Sequence, residues 1–212
     1  MIRPRRQVAP PYKLLSVLLG YPHERVVESR EEIAAAVEAL PPSPQRDALR
    51  HFLADFTGTP AGALAERYVE TFDLRRRSGL YLSYYLHGDT RKRGMALLRL
   101  KRLYAAAGLE ATTGELPDYL PLMLEFAALA PDGAGQTLLR EHRPALELLR
   151  SGLHDAGSPY AHLLDALCAG LPRLTALERE HVRRLAEDGP PDEQVGLRPF
   201  APPEVMPVEA RA

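Results

Sequence analysis

Residues 66–98 read ERYVETFDLRRRSGLYLSYYLHGDTRKRGMALL. The run parses as helix, short break, helix, charged turn, helix. Tyr68 and Phe72 stand four apart, so on a helix they share one face with Leu64. Glu66, Glu70 and Asp73 follow a second stripe around the same helix. The HGDT turn predicts a new helix with Asp89 as its N-cap. No nucleophile with its base, phosphate loop or metal-ligand set falls in this stretch. An apolar strip edged by carboxylates, beside a basic turn, reads as a surface that grips another chain.

Upstream, the pattern stays helical. Residues 1–9 are a basic, proline-containing segment expected to be a mobile tail. Tyr12–Leu19 is a short helix, apolar almost all round and therefore buried, stopped by Gly20-Tyr21-Pro22. From Pro22 a longer amphipathic helix is expected to run to Leu40 and end at Pro41-Pro42. Ser43 then caps a helix with Pro44 in its first position, and Leu49, Phe52, Leu53 and Phe56 give an i, i+3, i+4, i+7 stripe.

Downstream, Met95–Ala107 is helical and closed by Gly108. Pro117 is expected to open a helix carrying Leu120, Met123, Leu124 and Ala127. The helix from Gln136 to Leu153 contains Pro144, which removes a hydrogen bond and predicts a kink or a split. Tyr160, Leu163, Leu164, Leu167 and Leu171 form another stripe, and a last helix covers Ala176 to Glu187. No segment alternates with period two between hairpin turns, so strands are not expected. The expectation is an all-α, single-domain helical bundle over residues 10–188. Residues 189–212 form a proline-rich tail expected to be mostly disordered.

Composition agrees with that class and bounds the function. The chain has 212 residues, no Trp, and formal net charge −1. As a whole it offers no electrostatic attraction to nucleic acid or an anionic membrane. Its single cysteine, Cys168, excludes an internal disulfide framework and an all-cysteine cluster. No run approaches the roughly 20 apolar residues of a membrane span, so no direct membrane insertion is expected. Arg5-Arg6 followed by LLSVLLG superficially resembles a twin-arginine signal. PHERVVESREE stands where a cleavage site should lie, so a processed signal is not expected. The expected location is cytoplasmic.

Possible chemistry is sparse. His154-Asp155 invites comparison with all-helical metal phosphohydrolases, but the dipeptide lies beside Gly152 and Gly157, in an expected loop or solvated helix end. Cys168 sits within an apolar stripe and is expected to be a buried, inert thiol. The seven histidines never form the zinc-hydrolase helix spacing. No residue volunteers for catalysis, and no metal or cofactor is expected. Arg75, Arg76 and Arg77 follow a helix end, where cations meet the negative end of the dipole. Arg91, Lys92 and Arg93 instead occupy the first turn of a helix, the wrong end for positive charge. Three such residues point to acidic partners, within the fold or on a bound chain.

Three blocks carry a resemblance: YVETFD at Tyr68–Asp73, HGDTRKRGMAL at His87–Leu97, and LPDYLPLMLEF at Leu116–Phe126. With LLSVLLGYPHE and EHRPALELL, they closely resemble the assembly chaperones of respiratory nitrate reductase, the NarJ-type or delta-subunit branch of the TorD-like redox-enzyme chaperones. The likeness covers residues 12–187. It implies an all-helical cytoplasmic protein that is not an enzyme and not a subunit of the finished complex. The partner it implies is the apo catalytic (alpha) subunit, bound partly through its N-terminal peptide and held competent for molybdenum-cofactor insertion. Proteins that deliver the cofactor are further expected partners.

A basic amphipathic peptide would lay its apolar face on an apolar strip and its arginines against acids. Tyr68, Phe72, Leu120 and Phe126 are the candidates for apolar contact or groove walls. Glu66, Glu70, Asp73, Asp118 and Glu125 are the acid candidates, and Asp89, Arg91, Lys92 and Arg93 complete the expected client-binding set. The competing reading for the aromatics is core, and for the acids a solvated face. The alternative clients are related molybdoenzymes such as chlorate or selenate reductases. A helical metal-dependent hydrolase and an unrelated helical scaffold are the alternatives from other classes.

Overall fold

The computed structural model describes residues 11–75, 78–110 and 114–189. The expected N-terminal tail, Arg76, Arg77 and the tail from residue 190 lie outside the described residues. Within them the chain is all-α, with twelve α-helices and one isolated antiparallel bridge, Tyr81 to Tyr119.

The apolar stripes sort the helices into one contiguous core. Helix α1 (Tyr12–Leu18) packs on α8 (Leu120–Leu129), and α4 (Pro44–Phe56) on α11 (Ala161–Ala169). Helix α10 (Arg143–Asp155) lies against α11 and also receives α6 (Leu82–His87) and α12 (Ala176–Asp188). Helix α4 follows its sequence signals closely. Ser43 Oγ accepts from the Arg46 amide at 3.3 Å, Pro44 stands at the first position, and Leu49, Phe52, Leu53 and Phe56 are all buried. Each such side chain contributes on the order of 2 kcal/mol by leaving water. Ser16 Oγ ties α1 to α8 by donating to the Pro121 carbonyl at 2.8 Å.

Several boundaries differ from expectation for local reasons. The stretch after Pro22 is two helices, α2 (Glu24–Glu28) and α3 (Arg30–Glu38), broken at Ser29. The break lets Arg30 reach the Thr59 carbonyl at 2.5 Å and lie over the Phe56 ring at 5.2 Å. Helix α8 starts at Leu120 rather than Pro117. The backbone there is already engaged: Leu120 N–H donates to Leu80 O and Leu82 N–H to Asp118 O, holding the segment extended. The helix containing Pro144 is split, α9 (Ala134–Glu141) from α10, with the break at His142 and Pro144 in the first turn of α10. Gly135 allows α9 to meet α8 closely, since a Cβ there would fall 2.1 Å from Ala127 Cα.

The YVETFD block is not plain α-helix. Helix α5 (Ala61–Tyr68) runs into a π turn at Val69–Asp73, closed by Leu74 N–H donating to Val69 O at 3.1 Å. Such wide turns concentrate at functional sites. Helix α7 (Arg91–Ala106) is capped by Thr90, not by Asp89, and Thr90 makes no side-chain cap bond. Gly88, at φ +57°, turns the chain out of α6 into that helix, a conformation costly for a residue with a Cβ. With the cap position at Thr90, the Asp89 carboxylate instead accepts from Arg93 at 3.2 Å.

Candidate functional site

The apolar strip expected as a surface is interior. Tyr68, Phe72, Leu120 and Phe126 are all buried in the core. Tyr68 and Phe72 pack against each other with ring centroids 4.9 Å apart, and both contact the Tyr160 ring. Phe126 packs on Tyr104 at 4.6 Å. The stripes serve the core here: Tyr68 and Phe72 are met by Tyr160 at the entry to α11, and Leu120 and Phe126 lie on α8, which packs against α1 and α9.

Asp118 is likewise not a surface acid. It is 0% exposed, and its Oδ2 accepts from the Ser83 amide at 3.2 Å and the Ser83 hydroxyl at 2.5 Å. Arg93 belongs to the same cluster. Its guanidinium lies 3.9 Å from that Oδ2, donates to Ser83 Oγ at 3.3 Å, and sits over the Tyr84 ring at 5.7 Å. One of the three charges at the positive end of α7 is therefore held by acids within the fold. Arg91 and Lys92 are exposed, as is Asp89. Glu125 forms an ion pair with Lys13 of α1.

What remains at the surface is an acidic edge in front of tyrosines. Glu66, Glu70 and Asp73 are exposed, and among the described residues no ion pair holds any of them. Leu74, directly after Asp73, is 73% exposed. Beside them the Tyr68 hydroxyl reaches from the core to the Tyr119 hydroxyl at 2.9 Å. Tyr21, 38% exposed, meets the Tyr68 ring edge-on at 5.4 Å, and Tyr81 packs on Tyr119 at 5.5 Å. Tyr81 in turn donates to Glu115 at 2.8 Å. Burial, then the Tyr119 hydrogen bond, raises the Tyr68 phenol, and the Asp73 carboxylate pushes the same way. Asp73 and Glu115 also help to raise Tyr119, after burial. Glu115 and Pro117 further line a cleft of about 510 Å³ against Lys101 and Tyr104 of α7.

This rim of phenols and carboxylates presents electron-rich ring faces and negative charge, and among the described residues Glu66, Glu70 and Asp73 have no ion-pair partner. It can accept a cationic, partly apolar chain through ion pairing and cation–π contact. Tyr21, Tyr81, Tyr119 and Glu115 were not among the residues expected from sequence. They come from three distant segments, and only the tertiary packing brings them to one place.

The hydrolase reading finds no set of groups. His154 and Asp155 lie in the last turn of α10, and His154 Nε2 meets Asp165 Oδ1 at 3.0 Å. Among the described residues no group of three or more His, Cys, Asp or Glu side chains is placed to hold a metal. Burial pushes the Cys168 thiol up to about 12, so little thiolate forms at neutral pH. No helix among the described residues is long and apolar enough to cross a membrane.

The family model described as nitrate reductase delta subunit matches residues 32–166. The chain is 36% identical over 167 residues to the probable nitrate reductase molybdenum cofactor assembly chaperone NarJ of Bacillus subtilis, covering 79% of this chain and 91% of that one. It is 36% identical over 156 residues to the NarJ chaperone of Escherichia coli K12, covering 73% and 66%. It is 38% identical over 157 residues to the nitrate reductase-like protein NarX of Mycobacterium tuberculosis, of whose length it spans only 24%. In structure it resembles a putative redox enzyme maturation protein from Archaeoglobus fulgidus, with a TM-score of 0.56 at 19% identity over 89% of this chain and 97% of that chain. The last likeness is one of fold.

Proposed function

The chain belongs to the nitrate reductase delta subunit family, and from that premise we propose that it is an assembly chaperone of respiratory nitrate reductase. In this reading it is not an enzyme. It binds the apo catalytic (alpha) subunit in the cytoplasm, including that subunit's N-terminal peptide. While bound, the client stays open to molybdenum-cofactor insertion, and it is released once cofactor and partner subunits are in place.

The observation that carries the peptide-binding part is the acid-edged rim. Glu66, Glu70 and Asp73 stand exposed and without ion pairs among the described residues, beside Tyr21, Tyr119 and the exposed Leu74. A basic amphipathic peptide gains charge pairing and apolar contact there without disturbing the buried Tyr68 and Phe72. The phenols already have partners, so the surface is formed before the peptide arrives. Exposed Arg91, Lys92 and Asp89, on the turn into α7, are candidates for contact with other parts of the client.

Calorimetric titration with the N-terminal peptide of a respiratory nitrate reductase catalytic subunit from the same organism tests the reading. Micromolar or tighter binding that weakens with salt, together with loss of nitrate reductase activity in cells lacking the chaperone, is the expected result. Absence of peptide binding removes the site. Binding restricted to the peptide of a chlorate- or selenate-reductase-type enzyme reassigns the client.

A further inference from the structure

Helix α7 buries one side against the body. Leu100 and Tyr104 are buried, the Tyr104 hydroxyl donates to the Pro117 carbonyl at 2.6 Å, and Arg93 holds the N-terminal end. The opposite side faces outward. Met95 is 67% exposed and Leu98 41%, and at 100° per residue they lie on one stripe with Arg102. Arg99, Lys101, Ala105 and Ala106 flank that stripe and are exposed. The helix carries six basic residues and no acidic one. Arg99 is bridged to Glu141 at 3.0 Å, an exposed pair that a better-placed carboxylate can replace.

Gly94 adds a second observation. It sits within the helix, where glycine is the least favourable residue after proline. A Cβ there would meet nothing within 4 Å, so no contact among the described residues requires its absence. It neighbours Leu98 one turn on, at the edge of the exposed apolar stripe. A missing side chain at that place leaves room for another backbone to approach.

We propose that the outward face of α7 is a second protein-docking surface, shaped for an amphipathic helix whose apolar stripe is edged by carboxylates. Met95 and Leu98 take the apolar stripe, Lys92, Arg99 and Arg102 take the acids, and Gly94 admits the partner backbone. This chemistry is the opposite of the acid-edged rim, so the two faces select different segments. An anionic bilayer fits less well. Only two large apolar side chains point outward, no aromatic ring is among them, and Arg102 interrupts their stripe. The proposal goes beyond the peptide-binding reading and stands if that reading fails.

The test uses the full chain and a fluorescein-labelled synthetic helical peptide with a leucine stripe flanked by glutamates. The same peptide with lysines for glutamates and vesicles of phosphatidylglycerol serve as controls. The acidic peptide is expected to bind, to weaken with salt, and to lose at least tenfold in affinity with Met95→Ser/Leu98→Ser. Gly94→Leu separates docking from folding. It is expected to melt no lower than the parent, because it improves helix propensity in open space, yet to lose the acidic peptide to the same degree. Equal binding by parent and both variants, no binding at all, or binding of vesicles without the acidic peptide overturns the proposal. The rim variant Glu66→Gln/Glu70→Gln/Asp73→Asn is expected to bind the acidic peptide as the parent does, so each site can fail separately.

Discussion

The guanidinium of Arg93 lies 3.9 Å from the carboxylate of Asp118, which has no access to solvent. That contact joins the start of α7 to the segment that leads into α8, and it assigns Arg93 to the interior of the fold. A basic run that looks uniform in sequence is thus divided, with one residue structural and its neighbours at the surface.

Arg93→Ala leaves the buried Asp118 carboxylate with only its Ser83 bonds. The contact is long, so the loss is placed at about 2 kcal/mol, below the range for tightly paired buried ions. That corresponds to a fall of roughly 4–8 °C in a thermal melt. Lys92→Ala, at the positive end of the same helix, is expected to hold stability or raise it by a few tenths of a kcal/mol. Equal melting of the two variants would contradict the assignment of Arg93.

Neutralising the acid edge separates binding from folding. Glu66→Gln/Glu70→Gln/Asp73→Asn changes exposed side chains without ion pairs among the described residues, so stability is expected to stay within about 0.5 kcal/mol of the parent. Affinity for the basic N-terminal peptide is expected to fall about tenfold or more, near 1.4 kcal/mol. Calorimetry at two salt concentrations checks this, and the variant's remaining affinity should depend less on salt.

His142, at the break between α9 and α10, gives a pH dependence. Burial holds its imidazole below the ordinary value of 6.5, outweighing the hydrogen bond at the Leu138 carbonyl. The unfolded chain therefore binds this proton at higher pH than the folded chain does. Stability from this group is complete above 6.5 and is lost as pH falls from there through the depressed folded value. His142→Asn can keep a donor toward Leu138 but does not titrate. Urea midpoints measured at about pH 7.5 and pH 5.5 should fall less for the variant than for the parent.

Gly135→Ala places a methyl group 2.1 Å from the Ala127 backbone, so α8 and α9 must separate. Gains in helix propensity are a few tenths to about 1 kcal/mol, while forcing apart a packed contact costs about 1–3 kcal/mol or more. The net expectation is a loss, read as a lower midpoint in denaturant. Gly94→Ala, with open space around it, should shift the midpoint the other way.

The fold was legible because its signals are local. The stripe on α4 and its Ser43 cap, the stripe from Tyr160 to Leu171, and the split at Pro144 all follow from spacing and backbone chemistry within a few residues. The site was less legible because it depends on which faces are covered. Tyr68 and Phe72 have the same spacing whether they face solvent or Tyr160, and nothing near them in sequence announces α11. Asp118 reads as an exposed acid beside Pro117 until Ser83 and Arg93 are placed around it. The π turn at Val69–Asp73 has no period of its own, and the tyrosines of the rim meet only in three dimensions. The resemblance in the motifs anticipated the family but could not say which of its residues are interior.

The pairing of α1 with α8 fixes the order in which this protein can come into being. Ser16 and the Pro121 carbonyl it bonds are separated by 105 positions, and α4 must likewise wait for α11. At roughly 5–20 residues per second of synthesis, the apolar first helix stays without its partner for several seconds or more after it is made. During that interval Leu15, Leu18 and Leu19 lack the cover that buries them in the folded chain. Closing such distant pairings also makes folding slow relative to a bundle of sequential hairpins. A chain truncated before Ala161 should therefore remain on the ribosome, or leave it, as a protease-sensitive collapsed state rather than as a smaller version of the fold.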